Sequence, residues 1–155
     1  MTVTTTASRQ RRLEYISVHA RATAFSVQAV VVALQEVLGA EMLATIVDRN
    51  VRTVARWVNG KVTPALAEER CLRDIFHITE LVRTIEPDET VRAWFMGMNP
   101  LLADDAPVDA IRDGRGKQVM TAARVFIQHA QDASPAEPAV FDTVDVITLR
   151  EGETP

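Results

Sequence analysis

Two short apolar stripes flank a link of three residues, and that link limits the fold more than any other feature of the chain. In "MLATIVDRNVRTVARWVNGK", Met42, Leu43, Ile46 and Val47 recur at helical spacing, Asp48, Arg49 and Asn50 interrupt, and Val54 and Trp57 resume three residues apart. So short a link folds the second helix back onto the first at close range, and the small Ala44 leaves room for it. Asn50 is a good N-cap and Asn59-Gly60 a good stop. The pattern predicts helices over Glu41–Val47 and Val51–Val58, a helix-turn-helix within residues 41–60. Val54 and Trp57 then face inward, which gives the indole a structural role, while Asn50, Val51, Arg52, Ala55 and Arg56 face outward.

The remaining segments read as helices as well. Leu13, Ile16 and Ala20 place a helix over Arg9 to Thr23. Ser26 caps a helix from Val27 to Leu38 that ends at Gly39; its length and 3-4 spacing outweigh the strand propensity of Val30 to Val32. Pro64 precedes a long helix over Ala65 to Ile85, with Leu66, Leu72, Ile75, Phe76, Leu81 and Val82 inward. Pro87-Asp88-Glu89 opens another, carrying Val91, Trp94 and Phe95 before "GMNP" breaks it. Asp104 or Asp105 is the expected cap of a short helix from Pro107 to Ile111, "RDGRGK" is a turn, and Lys117 to His129 is the last helix. The expected class is all-α, a helical bundle with a helix-turn-helix core and a small helical C-terminal module. The expected organisation is a disordered stretch 1–8, a helical domain 9–85, a helical module 86–132 and an acid- and Pro-rich tail 133–155. The tail reads equally as an extended docking segment, a strand or disorder.

Charge is divided along the chain. Residues 1–61 hold eight Lys/Arg against four Asp/Glu, and residues 62–155 hold nine against seventeen. A basic front and an acidic rear suggest two surfaces with different partners. The front charges coincide with the outward face of the second short helix. Arg52, Thr53 and Arg56 are therefore the expected base or phosphate contacts on double-stranded DNA, with Arg49, Asn50 and Lys61 supporting them. Arg9, Arg11 and Arg12 read equally as a basic arm on DNA or as a solvated arm. One short recognition helix binds weakly, so a homodimer on a two-fold operator, or a higher homo-oligomer, is expected, joined by the Val27–Leu38 helix or by the C-terminal module.

The stretch "MLATIVDRNVRTVARWVNGKVTP" resembles the helix-turn-helix of Xre-type bacterial regulators through Leu43-Ala44, Val54, Arg56-Trp57, Asn59-Gly60 and Pro64. It departs at the turn, where that pattern has a glycine followed by an apolar residue and this chain has Asp48 and Arg49. Further on, "VRAWFMGMNPLLADDAPVDAIRDGRGKQVMTAARVF" resembles the C-terminal module of the MbcA/ParS/Xre antitoxin family. Trp94, Asn99, Pro100, Leu101, Pro107, Gly114, Val119 and Ala123 sit on its pattern. Together the two resemblances run from about Val37 to Phe126. They imply a front module that binds an operator and a rear module that binds a toxin of the RES fold, an enzyme that degrades NAD. Trp94, Asn99, Pro100 and Leu101 are the implied partner-binding residues, and the C-terminal end of such a chain can block the toxin's active site.

Nothing in the sequence has catalytic or metal-binding spacing. His19, His77 and His129 lie far apart, Cys71 has no histidine on its helical face, and Asp104, Asp105 and Asp109 flank a helix start, where acids oppose the dipole. No enzyme activity, cofactor or metal is expected. The single cysteine, the lack of an apolar run of about 18 residues and the lack of a secretory signal are expected of a cytoplasmic protein. Two alternatives stay open: a phage-type or stand-alone repressor without a toxin, and a protein-interaction module that does not bind DNA.

Overall fold

The structure, a computed structural model, describes residues 17, 18, 20 and 24–133. Among the described residues seven α-helices have both ends defined: α1 Val27–Leu38, α2 Ala40–Ile46, α3 Val51–Val58, α4 Leu66–Arg83, α5 Asp88–Met96, α6 Pro107–Arg112 and α7 Gly116–Asp132. A 3-10 turn, Pro100–Leu102, separates α5 from α6. No strand occurs among the described residues, so the class is all-α as expected. Ser17, Val18 and Ala20, within the expected first helix, are helical, and Val18 is buried. The remainder of that helix, the basic arm and the tail lie outside the described residues.

The centre of the bundle is α1. The Ser26 hydroxyl accepts the Ala29 N–H at 3.2 Å and starts the helix. Val30, Val31, Leu34, Val37 and Leu38 are buried, and α1 packs against α2, α3, α4 and α5. Burial on several sides, rather than propensity, makes this valine-rich stretch a helix. The apolar stripe of α1 is spent inside the core. Gly39 ends α1 at φ 85, a left-handed conformation that glycine adopts without strain, and the chain bends by 116° into α2.

The long helix α4 packs against both α1 and α7. Leu72, Ile75, Phe76, Leu81 and Val82 face inward as expected and Ile78 joins them, but Leu66 is 63% exposed. Leu66 precedes Leu72 by six positions, which places the two on different sides of a helix. Arg83 joins the end of α4 to the start of α5 by pairing with Glu80 at 2.7 Å and Asp88 at 2.9 Å. Arg92 of α5 donates to the Val37 carbonyl of α1 at 2.7 Å. One buried cluster then runs without interruption from Val30 through Trp57 and Phe95 to Ala123.

Neither Asp104 nor Asp105 caps α6. Its N-cap is Ala106, without a side-chain bond. Asp105 instead pairs with Arg115 across the loop, and Asp104 adopts φ 64. Pro107 at the first helical position needs no N–H partner, which removes part of the need for a cap. The last helix starts one residue before its expected start and ends three residues beyond its expected end.

Candidate nucleic-acid interface and partner surface

The turn between α2 and α3 closes like a helix end built for glycine. Asp48 sits at φ 51 and donates its N–H to the Thr45 carbonyl at 3.2 Å, while the Arg49 N–H reaches the Ala44 carbonyl at 2.9 Å. These are the paired bonds of a Schellman cap with a left-handed residue in the middle. An aspartate tolerates that conformation better than most side chains do. The departure at Asp48 therefore leaves the turn geometry intact.

Asn50 then starts α3. Its Oδ1 accepts the Thr53 N–H at 2.8 Å and the Thr53 hydroxyl at 3.0 Å. Val54 and Trp57 are 0% and 2% exposed, so the inward assignment of both holds. At the far end Gly60 lies at φ 68, the Lys61 N–H reaches the Arg56 carbonyl at 2.9 Å, and Gln28 of α1 donates to the Val58 carbonyl at 2.9 Å. Its positive φ favours glycine, and a Cβ there would meet Gln28 Nε2 at 2.9 Å, so the tip of that side chain would have to shift and loosen its bond to Val58. Both ends of α3 are thus fixed to the core.

The six residues expected at DNA divide into two groups. Arg52 and Arg56 are exposed one turn apart on α3, with Ala55 and the 44%-exposed Val51 beside them, and Lys61 is exposed just past its end. Among the described residues these three cations form no ion pair. Asn50 and Thr53 serve the cap, and Thr53 is only half-exposed. Arg49 is engaged elsewhere: its Nε donates to Glu68 at 2.7 Å and its Nη1 to the Asp48 carbonyl at 2.9 Å.

The four expected partner-binding residues also have separate tasks. Trp94 is half-buried, edge-on to Phe95 at 5.3 Å and tilted against Phe126 at 6.0 Å. The Asn99 side chain accepts the Leu101 N–H at 3.0 Å and its backbone N–H reaches the Asp105 carbonyl at 3.1 Å, so it shapes the loop. Pro100 opens the 3-10 turn, Leu102 anchors it in the core at 1% exposure, and Leu101 is left 56% exposed. Met98 at 80% and Met96 at 61% extend that apolar surface. Of the stretch "MGMNP" the sequence pattern singles out Asn99 and Pro100 but neither methionine. Two methionines within three residues of a turn were the available signal, since flexible thioethers suit adaptable binding surfaces. A cleft of about 700 Å³ lies nearby, lined by Leu38, Met42, Met96 and Val108, with Glu41 and Asp109 among its polar groups.

Among the described residues no three His, Cys, Asp or Glu side chains come together as a metal site. Cys71 is half-buried; burial first, and Asp74 second, push its thiol above the ordinary range, which disfavours the reactive thiolate. Among the described residues no single helix is long and apolar enough to cross a membrane.

No family model matches the chain. The mycobacterial cidal antitoxin MbcA of Mycobacterium bovis and that of Mycobacterium tuberculosis are each 30% identical to it over 80 residues, 52% of this chain and 71% of theirs. A chain of the crystal structure of the M. tuberculosis MbcT-MbcA toxin-antitoxin complex superposes with a TM-score of 0.59 at 26% identity, covering 68% of this chain and 97% of that one.

Proposed function

Because the chain belongs to the MbcA family of antitoxins, we propose that it is the antitoxin of a toxin-antitoxin pair, neutralising a RES-type, NAD-degrading toxin and repressing its own operon. The observation that carries the toxin half is the match to 97% of a chain in a toxin-antitoxin complex. Met98 and Leu101, exposed on a loop that Asn99 and Leu102 hold in shape, supply the apolar contact. Asn99 shapes that loop and Pro100 stiffens it, while Trp94, on the helix that leads into it, packs against Phe95 and Phe126.

The observation that supports the DNA half is the division of α3 into two faces. Val54 and Trp57 lock one face into the core, and Arg52 and Arg56 leave the other bare and cationic. Set into a major groove, this helix offers two guanidinium groups to guanine edges or phosphates, and Lys61 meets the backbone. A homodimer places two such helices on a two-fold operator in the cytoplasm. Co-expression with the adjacent gene tests the toxin half. This protein should co-purify with that gene product and preserve the cell's NAD; separate elution with continued NAD loss refutes neutralisation. A reporter driven by the protein's own promoter tests repression, and an unchanged signal on adding the protein refutes it.

A further inference from the structure

The residue that stands out against a DNA-binding surface is Glu68, in the first turn of α4. Both of its oxygens are used. Oε1 accepts Arg49 Nε at 2.7 Å, and Oε2 accepts the Ala65 N–H at 2.8 Å. The second bond is one half of a capping box; Ala65 has no side-chain oxygen to supply the other half, so Glu68 alone caps this helix. The Glu68 side chain is 17% exposed and that of Arg49 is 47% exposed. The carboxylate is therefore held in place by the backbone, and the guanidinium comes to it. Asp48 adds a second acid in the same turn. Asp48, Arg49 and Glu68 together carry one net negative charge immediately before the recognition helix, where a phosphate-contacting turn should be cationic.

We propose that Glu68 is an internal phosphate substitute that holds Arg49 off the DNA backbone and so sets the affinity of this chain for its operator. The proposal rests on the DNA-binding reading above. A carboxylate and a phosphate compete for the same guanidinium, and Glu68 has the advantage of being fixed by the Ala65 N–H. Operator phosphate must displace a preformed partner, so this cation contributes little to the net attraction. Arg52, Arg56 and Lys61 have no such competitor among the described residues.

The test is a double-mutant cycle between Glu68→Gln and Arg49→Ala in the full chain, read by fluorescence anisotropy on a labelled duplex taken from immediately upstream of its own coding sequence. Glutamine keeps an oxygen for the Ala65 N–H and loses the charge. Glu68→Gln should bind several-fold tighter than the wild type. Its plot of log K against log salt should steepen by about 0.9, so that its advantage shrinks about threefold between roughly 50 and 200 mM salt. Arg49→Ala should change little on its own and should abolish the gain in the Glu68→Gln background. A melting temperature near that of the wild type excludes a folding effect. An unchanged affinity for Glu68→Gln overturns the proposal, as does a gain that persists without Arg49. The wild type and an Arg52→Ala/Arg56→Ala variant run alongside: a wild type that does not bind the duplex overturns the DNA reading itself, and the proposal with it. A wild type that binds through Arg52 and Arg56 while Glu68→Gln changes nothing overturns the proposal alone.

Discussion

Replacing Trp57 by alanine separates the two faces of α3. The indole is 2% exposed within the main buried cluster, beside the fully buried Val54. Truncating a buried aromatic to alanine costs about 3–5 kcal/mol, from lost transfer free energy and the cavity left behind. A domain of this size has only about 5–15 kcal/mol in total, so a large fraction of the stability goes. At about 4 °C per kcal/mol, the melting temperature should fall by roughly 12–20 °C. Circular dichroism measures this directly, and a urea titration gives the same loss as a lower midpoint with an unchanged slope. The counterpart is Arg52→Ala with Arg56→Ala. Both side chains are exposed and unpaired among the described residues, so stability should change by no more than about 0.5 kcal/mol each. The salt dependence of DNA binding should flatten by about 0.9 for each arginine that contacts phosphate. The reasoning fails if Trp57→Ala melts within a few degrees of the wild type yet loses DNA binding, because the indole would then lie on the DNA and not in the core.

Gly60→Ala should destabilise by about 1–2 kcal/mol in a thermal melt, since φ 68 strains any side chain and a Cβ would meet Gln28 Nε2 at 2.9 Å. Asp48→Gly, which restores the glycine of the Xre pattern at φ 51, should leave the fold intact and raise the urea midpoint by up to about 1 kcal/mol equivalent. Met98→Asp with Leu101→Asp should keep the melting temperature, because the two side chains are 80% and 56% exposed, and should weaken toxin capture at least tenfold in a titration against the adjacent gene product.

The helices were legible because apolar spacing is a local property. Ser26, Gly39, Asn50 and Gly60 mark their ends as read, and Val54 and Trp57 lie on the face that three-residue spacing assigns. What was not legible depends on partners distant in sequence. Arg49 looks like any exposed cation until α4 brings Glu68, nineteen positions on, within 2.7 Å. Asp105 looks like a helix cap until Arg115, ten positions on, takes it. Thr53 reads as a DNA contact and Asn50 as both cap and supporting contact, but the cap bond between them engages the Thr53 hydroxyl as well, which helical spacing alone does not reveal. Leu66 was misplaced for a different reason: its spacing to Leu72 already argued against a shared face.

Because α4 packs against both α1 and α7, the buried cluster is continuous between α3 and the loop that carries Met98 and Leu101. Such a core opens as one cooperative unit. The supply of both proposed activities in a cell is then governed by a single opening equilibrium, which sets how often a protease finds an extended chain. A core variant such as Trp57→Ala, which leaves the exposed methionines untouched, would shorten the lifetime of the whole molecule. Operator occupancy and toxin control would decline together, on one clock.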